Sequence, residues 1–386
     1  VPQELYHRYP GIKPFTTAER NLFFGREKDI QDLYSLIFIK QTVVLYGKSG
    51  YGKSSLLNAG VIPRLQEEGE WNCIPIRFNN FSGREAKENV SPVANIVMHL
   101  KKGVSADSLK LLNQVLPEEN SLWYWVKACQ KVNSHLQMIF FFDQFEETFT
   151  YPKAQVDEFS EQLSQVLYNT IPVKFRKRLA EMDDEKTIND ELHAFFYDKP
   201  EVKVVFSVRS DRLSLLNILT DRHPTILQNF LELDALGRSQ AQQAIENPAL
   251  APASLGFASP VFTYTKDALE KILENIASPQ DGKIESSTLQ IICRYVEDEL
   301  VTHLGHASIS ADLLGDIADI FRQYYEGVLN KLTPIEREKA QHLIEDELIE
   351  DGRRNTLTDT YIKNRFGFND NLLQVLEASS LLRKER

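Results

Sequence analysis

The chain has 386 residues, of which 42% are apolar and 22 are phenylalanine, enough for a real core and too much for a largely disordered chain. A formal net charge of -11 argues against bulk binding to a nucleic-acid backbone, which needs a basic footprint, and leaves room only for a local basic patch. The three cysteines, Cys73, Cys129 and Cys293, are far apart and contain no C-x-x-C pair, so neither a zinc site nor a disulfide framework is expected.

This length corresponds to two or three domains. There is no run of 18 apolar residues and no signal peptide. A reducing, cytoplasmic compartment fits best. The chain starts at Val1 rather than Met, which suggests a piece of a longer protein.

In chain order, Tyr9-Pro10-Gly11 to Pro14-Phe15 predicts an extended arm or turn, because Pro fixes φ and Gly permits unusual turns. Phe23-Phe24-Gly25-Arg26-Glu27 precedes a helix through Leu33 and Leu36. A short apolar strand spans Thr42 to Tyr46, a loop spans Gly47 to Gly52, and Lys53 begins a helix that Pro63 should end or kink. A second strand fits Cys73 to Phe78. Helical spacing follows over 90–100, 108–116 and 122–132. Met138 to Phe142 is apolar without alternation, the pattern of a strand covered on both faces. Two further helical stretches cover 157–169 and 175–196, the latter interrupted at Asp183–Lys186. Val202 to Val208 is another strand, Asp211 to Leu219 a helix, and Ile226 to Leu233 contains a fifth strand. Strands alternating with helices predict an α/β fold with a mostly parallel sheet covered on both sides.

Strand signals largely stop after Leu233. Helical spacing fits 239–246, 268–277, 288–300, 311–314 and 317–332, with one more helix from Pro334 and Glu336 to Ile349. The expected division is 1–234 for an α/β domain with its arm, 235–283 for a small helical domain and 284–386 for the last domain.

Gly47-Lys48-Ser49-Gly50-Tyr51-Gly52-Lys53-Ser54 matches G-x-x-x-x-G-K-[ST] in full and lies between a strand and a helix, the context that a phosphate-binding loop requires. Glycines let successive N–H groups turn toward an anion, and the helix that follows adds its free N-terminal donors. Lys53 can reach the β- and γ-phosphates and Ser54 can place its hydroxyl on Mg²⁺; Ser55 opens the helix body. Asp143 ends a buried strand, where a carboxylate can hold Mg²⁺ as in a Walker B motif. Glu146 or Glu147 could orient an attacking water. Arg209 lies just beyond Val202–Val208, where ligands bind in open parallel sheets, and could sense the γ-phosphate; Arg212 competes for that role. His99, His135, His193, His223, His303 and His306 form no spaced metal cluster. Trp123 and Trp125 read as packing residues.

With these motifs in place, the chain resembles the STAND-class NTPases, and within them the bacterial novel STAND NTPase type one group. Tyr9-Pro10-Gly11-Ile12-Lys13-Pro14-Phe15 is similar to that group's opening signature. Phe23-Phe24-Gly25-Arg26-Glu27-Lys28-Asp29 matches its Gly-Arg-Glu-x-Glu element, with Asp29 in place of the last Glu. Asp143 to Glu147 fits the class's pair of acids after the Mg²⁺ residue, and Arg209 its strand-end arginine. Asn247-Pro248 is similar to a G-x-P element, with Glu246 where Gly is usual. The resemblance covers about residues 9–382.

It implies an AAA-like P-loop sheet with an extra strand between the loop strand and the Asp143 strand. A small helical domain and a winged-helix domain would follow, with Arg353 and Arg354 near the wing. It places Phe24, Arg26 and Pro248 around base and ribose, and implies ATP or ADP with Mg²⁺. The function implied is a slowly hydrolysing switch whose opening permits self-association, in bacterial signalling or defence, with effector and sensor regions elsewhere. Neither nucleic acid nor membrane is expected to bind this segment directly. A steady-turnover AAA-type remodelling ATPase, a winged-helix DNA-binding regulator and a pseudo-NTPase scaffold are the rival expectations.

Overall fold

In the computed structural model, Met138 to Phe142 lie inside β3 (Gln137–Asp143), and every one of them is buried. The structure describes residues 6–79, 81, 90–117, 119–132, 136–252, 256–350, 353–354, 357, 359–379 and 381–382. The chain divides into two units: residues 28–47 with 61–232, and residues up to 27 with 48–60 and 233 onward.

The first unit is built on a parallel sheet of five strands. With β1 (Thr42–Gly47), β2 (Trp71–Arg77), β4 (Val202–Arg209) and β5 (Phe230–Glu232), the order is β2-β3-β4-β1-β5. One strand, β4, therefore separates β1 from β3. Val44 and Leu45 in β1 and Ile139, Phe140 and Phe142 in β3 are all buried, so no alternation survives, as expected where helices cover both faces. Phe78, Phe142, Phe145, Phe159 and Phe206 form an aromatic cluster, with the Phe145 and Phe206 rings 4.6 Å apart.

α1 (Glu27–Ile39) precedes β1. α2 (Pro92–Lys101), α3 (Leu122–Val132) and α4 (Lys153–Leu167) pack on one another. Ser91 caps α2 by accepting the Ala94 N–H at 3.2 Å, with Pro92 in the first turn, where its missing N–H breaks no bond. The predicted interruption at Asp183–Lys186 separates α5 (Val173–Asp184) from α6 (Asp190–Tyr197). Trp123 packs 4.9 Å from Phe175 in the core.

β2 is an edge strand and contains Pro75, the residue a sheet tolerates only at such places. Phe78 N donates to Asp143 O at 3.1 Å. Residues of a parallel strand alternate in facing, so Ile76 and Ile74 face β3 like Phe78, and the Pro75 nitrogen faces the outer edge.

Three predicted helices differ in kind. Pro63 does not end its helix. Leu56–Val61 is wound as a π-helix, and Ile62–Glu67 resumes as α-helix with Pro63 in its first turn, where the wider preceding turn relieves the clash. Ser210–Leu219 is 3-10 rather than α. Leu213, Leu216 and Leu219 recur every third residue, and three residues per turn keep all three on the core. The stretch from Pro334 is α-helical only to Gln341, continues as a π-helix to Glu347 and ends in a short strand. Its start is read correctly: the Thr333 N–H and the Glu336 N–H each find the other residue's side chain.

Among its described residues, the second unit holds two large cores and a smaller cluster around Phe15. One joins α7 (Arg238–Leu250), α8 (Lys266–Ile276), α9 (Ser286–Tyr295) and α10 (Ile317–Leu329) with Tyr9. The opening arm is part of it. The fully buried Arg8 guanidinium donates to Pro248 O (2.9 Å), Ala251 O (2.6 Å) and Ser259 Oγ (3.1 Å), while Glu297 accepts the Arg8 and Tyr9 N–H groups. The other core contains Leu329, Ala340, Leu343, Phe366, Leu372 and Leu376, and near it in sequence Ile349–Glu350 pairs antiparallel with Arg353–Arg354. Among the described residues, no helix is long and apolar enough to cross a membrane.

Lys127 on α3 is fully buried, with Nζ donating to Gln130 Oε1 (2.6 Å) and Asp198 O (2.7 Å). Burial pushes its ammonium down to about 8, against the opposing pull of the Asp198 carboxylate. The unfolded chain keeps that proton up to the ordinary lysine value of 10.5, so between the two values it binds more protons than the fold. The penalty is therefore fully present below about 8 and is relieved as pH rises. Relative to Lys127→Met, the natural chain should gain on the order of 3 kcal/mol of stability between neutral pH and the ordinary lysine value. Urea unfolding of both proteins across that range measures it.

Candidate functional site

The phosphate-loop motif starts at Gly47, the last residue of β1, and continues directly into a turn and a helix. Gly52 has φ 94°, in the left-handed region that side chains disfavour, and Lys53–Ser55 begins the helix, with Leu56 N donating to Gly52 O at 2.8 Å. Lys53 Nζ donates to Lys48 O at 3.2 Å across the loop. Tyr51 is buried. Ser55 is also buried, and its Oγ accepts the Phe15 N–H at 3.1 Å. Phe15 in turn packs 5.3 Å from Phe23 in a small cluster with Leu22, Ala59 and Ala251, which joins the two opening signatures to the loop helix.

Carbonyls on the outside of the loop are bonded too. Arg26 is buried, and its Nη2 donates to Tyr51 O (2.8 Å), Asp234 O (2.9 Å) and Ser286 Oγ (3.4 Å). The Ser286 hydroxyl donates to Tyr51 O at 3.3 Å, and Ser287 N to Gly50 O at 3.3 Å. Asp234 is paired with Lys283, which holds its carboxyl below the usual range. Gly25 lies just before Arg26 with φ +81°, and a Cβ there would sit 2.3 Å from Gln240 O.

In the sheet unit, parallel register brings the strand ends level. Gly47 pairs with Arg209, and Asp143 with Arg77. Asp143 Oδ1 accepts the Ser207 hydroxyl at 3.2 Å. Gln144 follows in the left-handed conformation and starts a 3-10 turn, Phe145–Thr150, that carries Glu146, buried, and Glu147, half-buried. Arg209 makes a two-pronged contact with Asp211 at 3.1 and 3.0 Å, and the Arg212 guanidinium is 3.6 Å from the same carboxylate. The two candidate arginines thus share one acid.

The model for the family described as Novel STAND NTPase 1 matches residues 9–384. The chain belongs to that family. No curated protein matches it. Among solved structures, the ORC2 protein of Aeropyrum pernix, in ADPNP–ADP complexes, is similar at 13% identity and TM-score 0.50, over 99% of this chain and 89% of that one. The Aeropyrum pernix ORC1 protein in complex with DNA aligns at 14% identity and TM-score 0.47, over 92% and 82%. The Walker-type ATPase of Pyrococcus abyssi aligns at 13% and 0.46, over 95% and 92%. The ORC2 likeness shows the fold alone: a parallel P-loop sheet with flanking helices.

In this STAND NTPase, sequence reasoning marked the loop, the strand ends and Arg26, but assigned no role to Ser207, Asp234, Ser286 or Ser287. The contact of Ser207 with Asp143 was legible in principle, since the two strands are neighbours. The contacts that Asp234 and Ser286 make with Arg26 and the loop span 208 to 260 residues, and like that of Ser287 they leave no local pattern. Phe24 is half-buried, and Pro248 is buried inside α7, where its carbonyl serves Arg8. His7 has a ring nitrogen close to carboxylates of Glu297 and Asp298, with all three possible metal-ligand atoms within 4.8 Å of one another. Glu297 already accepts Ser259 Oγ and two N–H groups, and Asp298 accepts Arg294 Nε at 2.6 Å. That group therefore ties the arm down, and we assign it no ion.

Gly25→Ala tests the packing behind the loop. Left-handed strain and a forced shift of the α7 backbone together should cost roughly 2–5 kcal/mol of folding stability. Chemical denaturation of the variant beside the natural chain reads the loss.

Proposed function

We propose that this STAND NTPase is a nucleotide-operated switch that binds ATP or ADP at residues 47–54 and hydrolyses ATP slowly. One observation carries the reading. The loop from Lys48 to Gly60 belongs to the same unit as residues 233 onward, and its outer carbonyls are bonded by Arg26, Ser286 and Ser287. A change of phosphate charge at the loop would thus bear directly on the C-terminal helices.

Lys53 would neutralise the β- and γ-phosphates. The Ser54 hydroxyl and the Asp143 carboxylate are hard oxygen donors of the kind Mg²⁺ takes, and the Ser207 hydroxyl fixes the orientation of that carboxylate. The ion would supply charge neutralisation on the phosphates. Glu146 or Glu147 would orient water, and Arg209 would sense the γ-phosphate after exchanging Asp211 for it. Phe24, Arg26 and Pro248 would lie by the base and ribose. The core beyond Val328 and its short hairpin support a winged-helix element acting as a clamp. Release of that clamp would permit self-association inside the bacterial cell, in signalling or defence. α9 does not read as a DNA-reading helix: its one basic residue, Arg294, bonds Asp298 and Tyr9 O.

Nucleotide released on denaturing the purified protein should be adenine nucleotide, with Lys53→Ala retaining much less. Protein that carries none and has no measurable ADP affinity would rule this reading out. Turnover should be slow, below about 1 per second, the low end of ordinary enzymes. Fast, sustained hydrolysis would favour a remodelling ATPase instead.

A further inference from the structure

We infer that Ser286, with Arg26, is a positioning residue for the phosphate site, setting the direction of the Gly52 N–H from outside the loop. The inference rests on the nucleotide-binding reading above and deepens it.

The argument starts from the peptide plane. A trans peptide is planar, so its C=O and the next residue's N–H point to opposite sides. The peptide joining Tyr51 to Gly52 presents its carbonyl to Arg26 Nη2 and Ser286 Oγ. Its N–H, on Gly52, is thereby turned the other way. With Gly52 at φ 94°, the chain then enters the helix, so this amide stands among the helix's first free donors, the set that binds anions. The neighbouring peptide is held in the same manner, Ser287 N bonding Gly50 O, while its own N–H makes a long 3.4 Å contact to Lys48 O.

The donors are built in. Arg26 is buried and contacts Ser286 Oγ as well as Tyr51 O, so the serine hydroxyl accepts from the guanidinium and donates its own hydrogen bond to the carbonyl. On the other side, α9 begins at Ser286 without a side-chain cap from Glu285. One N–H that a cap would otherwise serve, that of Ser287, uses the loop carbonyl instead. The start of α9 and the loop therefore complete each other. Any force that lifts α9 unpins the Gly52 amide, and a bound diphosphate resists that lift by the same free energy.

The test uses the whole chain, with ADP as ligand. Ser286→Ala should weaken ADP binding about three- to tenfold, the loss of one modest hydrogen bond. Ser286→Thr, which keeps the hydroxyl, should restore it, while the ADP-free melting temperature of Ser286→Ala should fall by only a few degrees. In ADP-free protein, the backbone amide resonance of Gly52, which senses hydrogen bonding at the Tyr51 carbonyl of the same peptide, should shift in Ser286→Ala and return toward its natural position in Ser286→Thr. Natural ADP affinity and an unmoved Gly52 amide resonance in Ser286→Ala would overturn the inference. So would a loss that Ser286→Thr does not repair. If the natural chain binds no ADP, the nucleotide reading fails, and the Gly52 resonance still decides whether Ser286 sets that amide.

Discussion

A backbone amide can face an anion only if the carbonyl on the other side of the same peptide is satisfied elsewhere. Side chains can be exchanged at a binding site, but this pairing cannot, because the peptide plane is rigid. In this STAND NTPase the carbonyls of Gly50 and Tyr51 find donors on segments from far along the chain, namely Arg26 and the start of the helix at Ser286. That requirement explains why residues before the loop and long after it gather with it in one unit.

The same logic governs the buried cations. Arg8 and Arg26 are both nearly inaccessible, and each spends its donors largely on main-chain carbonyls: Pro248 and Ala251 for one, Tyr51 and Asp234 for the other. A guanidinium suits this use, since its several N–H groups diverge in a plane and can serve more than one oxygen. Carboxylates at the strand ends follow a parallel rule, with Asp143 held by Ser207 and Asp211 shared by Arg209 and Arg212. Polar groups here are pre-oriented by short, specific contacts.

Much of the sheet was legible in the sequence because burial on both faces leaves an uninterrupted apolar run, as at Met138–Phe142, and because the glycine-rich motif is contiguous. The order of strands with β4 between β1 and β3 was expected from family resemblance, not from periodicity. Less legible was the kind of helix. A 3-10 stretch and an α-helix both show repeated leucines, and only the exact spacing at Leu213, Leu216 and Leu219 separates them. The π turn before Pro63 has no compositional signal. Least legible were the contacts behind the loop: nothing local distinguishes Ser286 from other serines, since its role comes from where two distant segments meet.

The outer rim of the sheet at β2 carries one further consequence. Along that rim the nitrogens of Cys73, Pro75 and Arg77 face away from β3, and the middle one has no hydrogen to give. A foreign strand laid along it would meet a gap in the ladder after one residue. This border of the sheet is therefore a poor template for strand addition by a second copy, and templated fibre growth along it is discouraged.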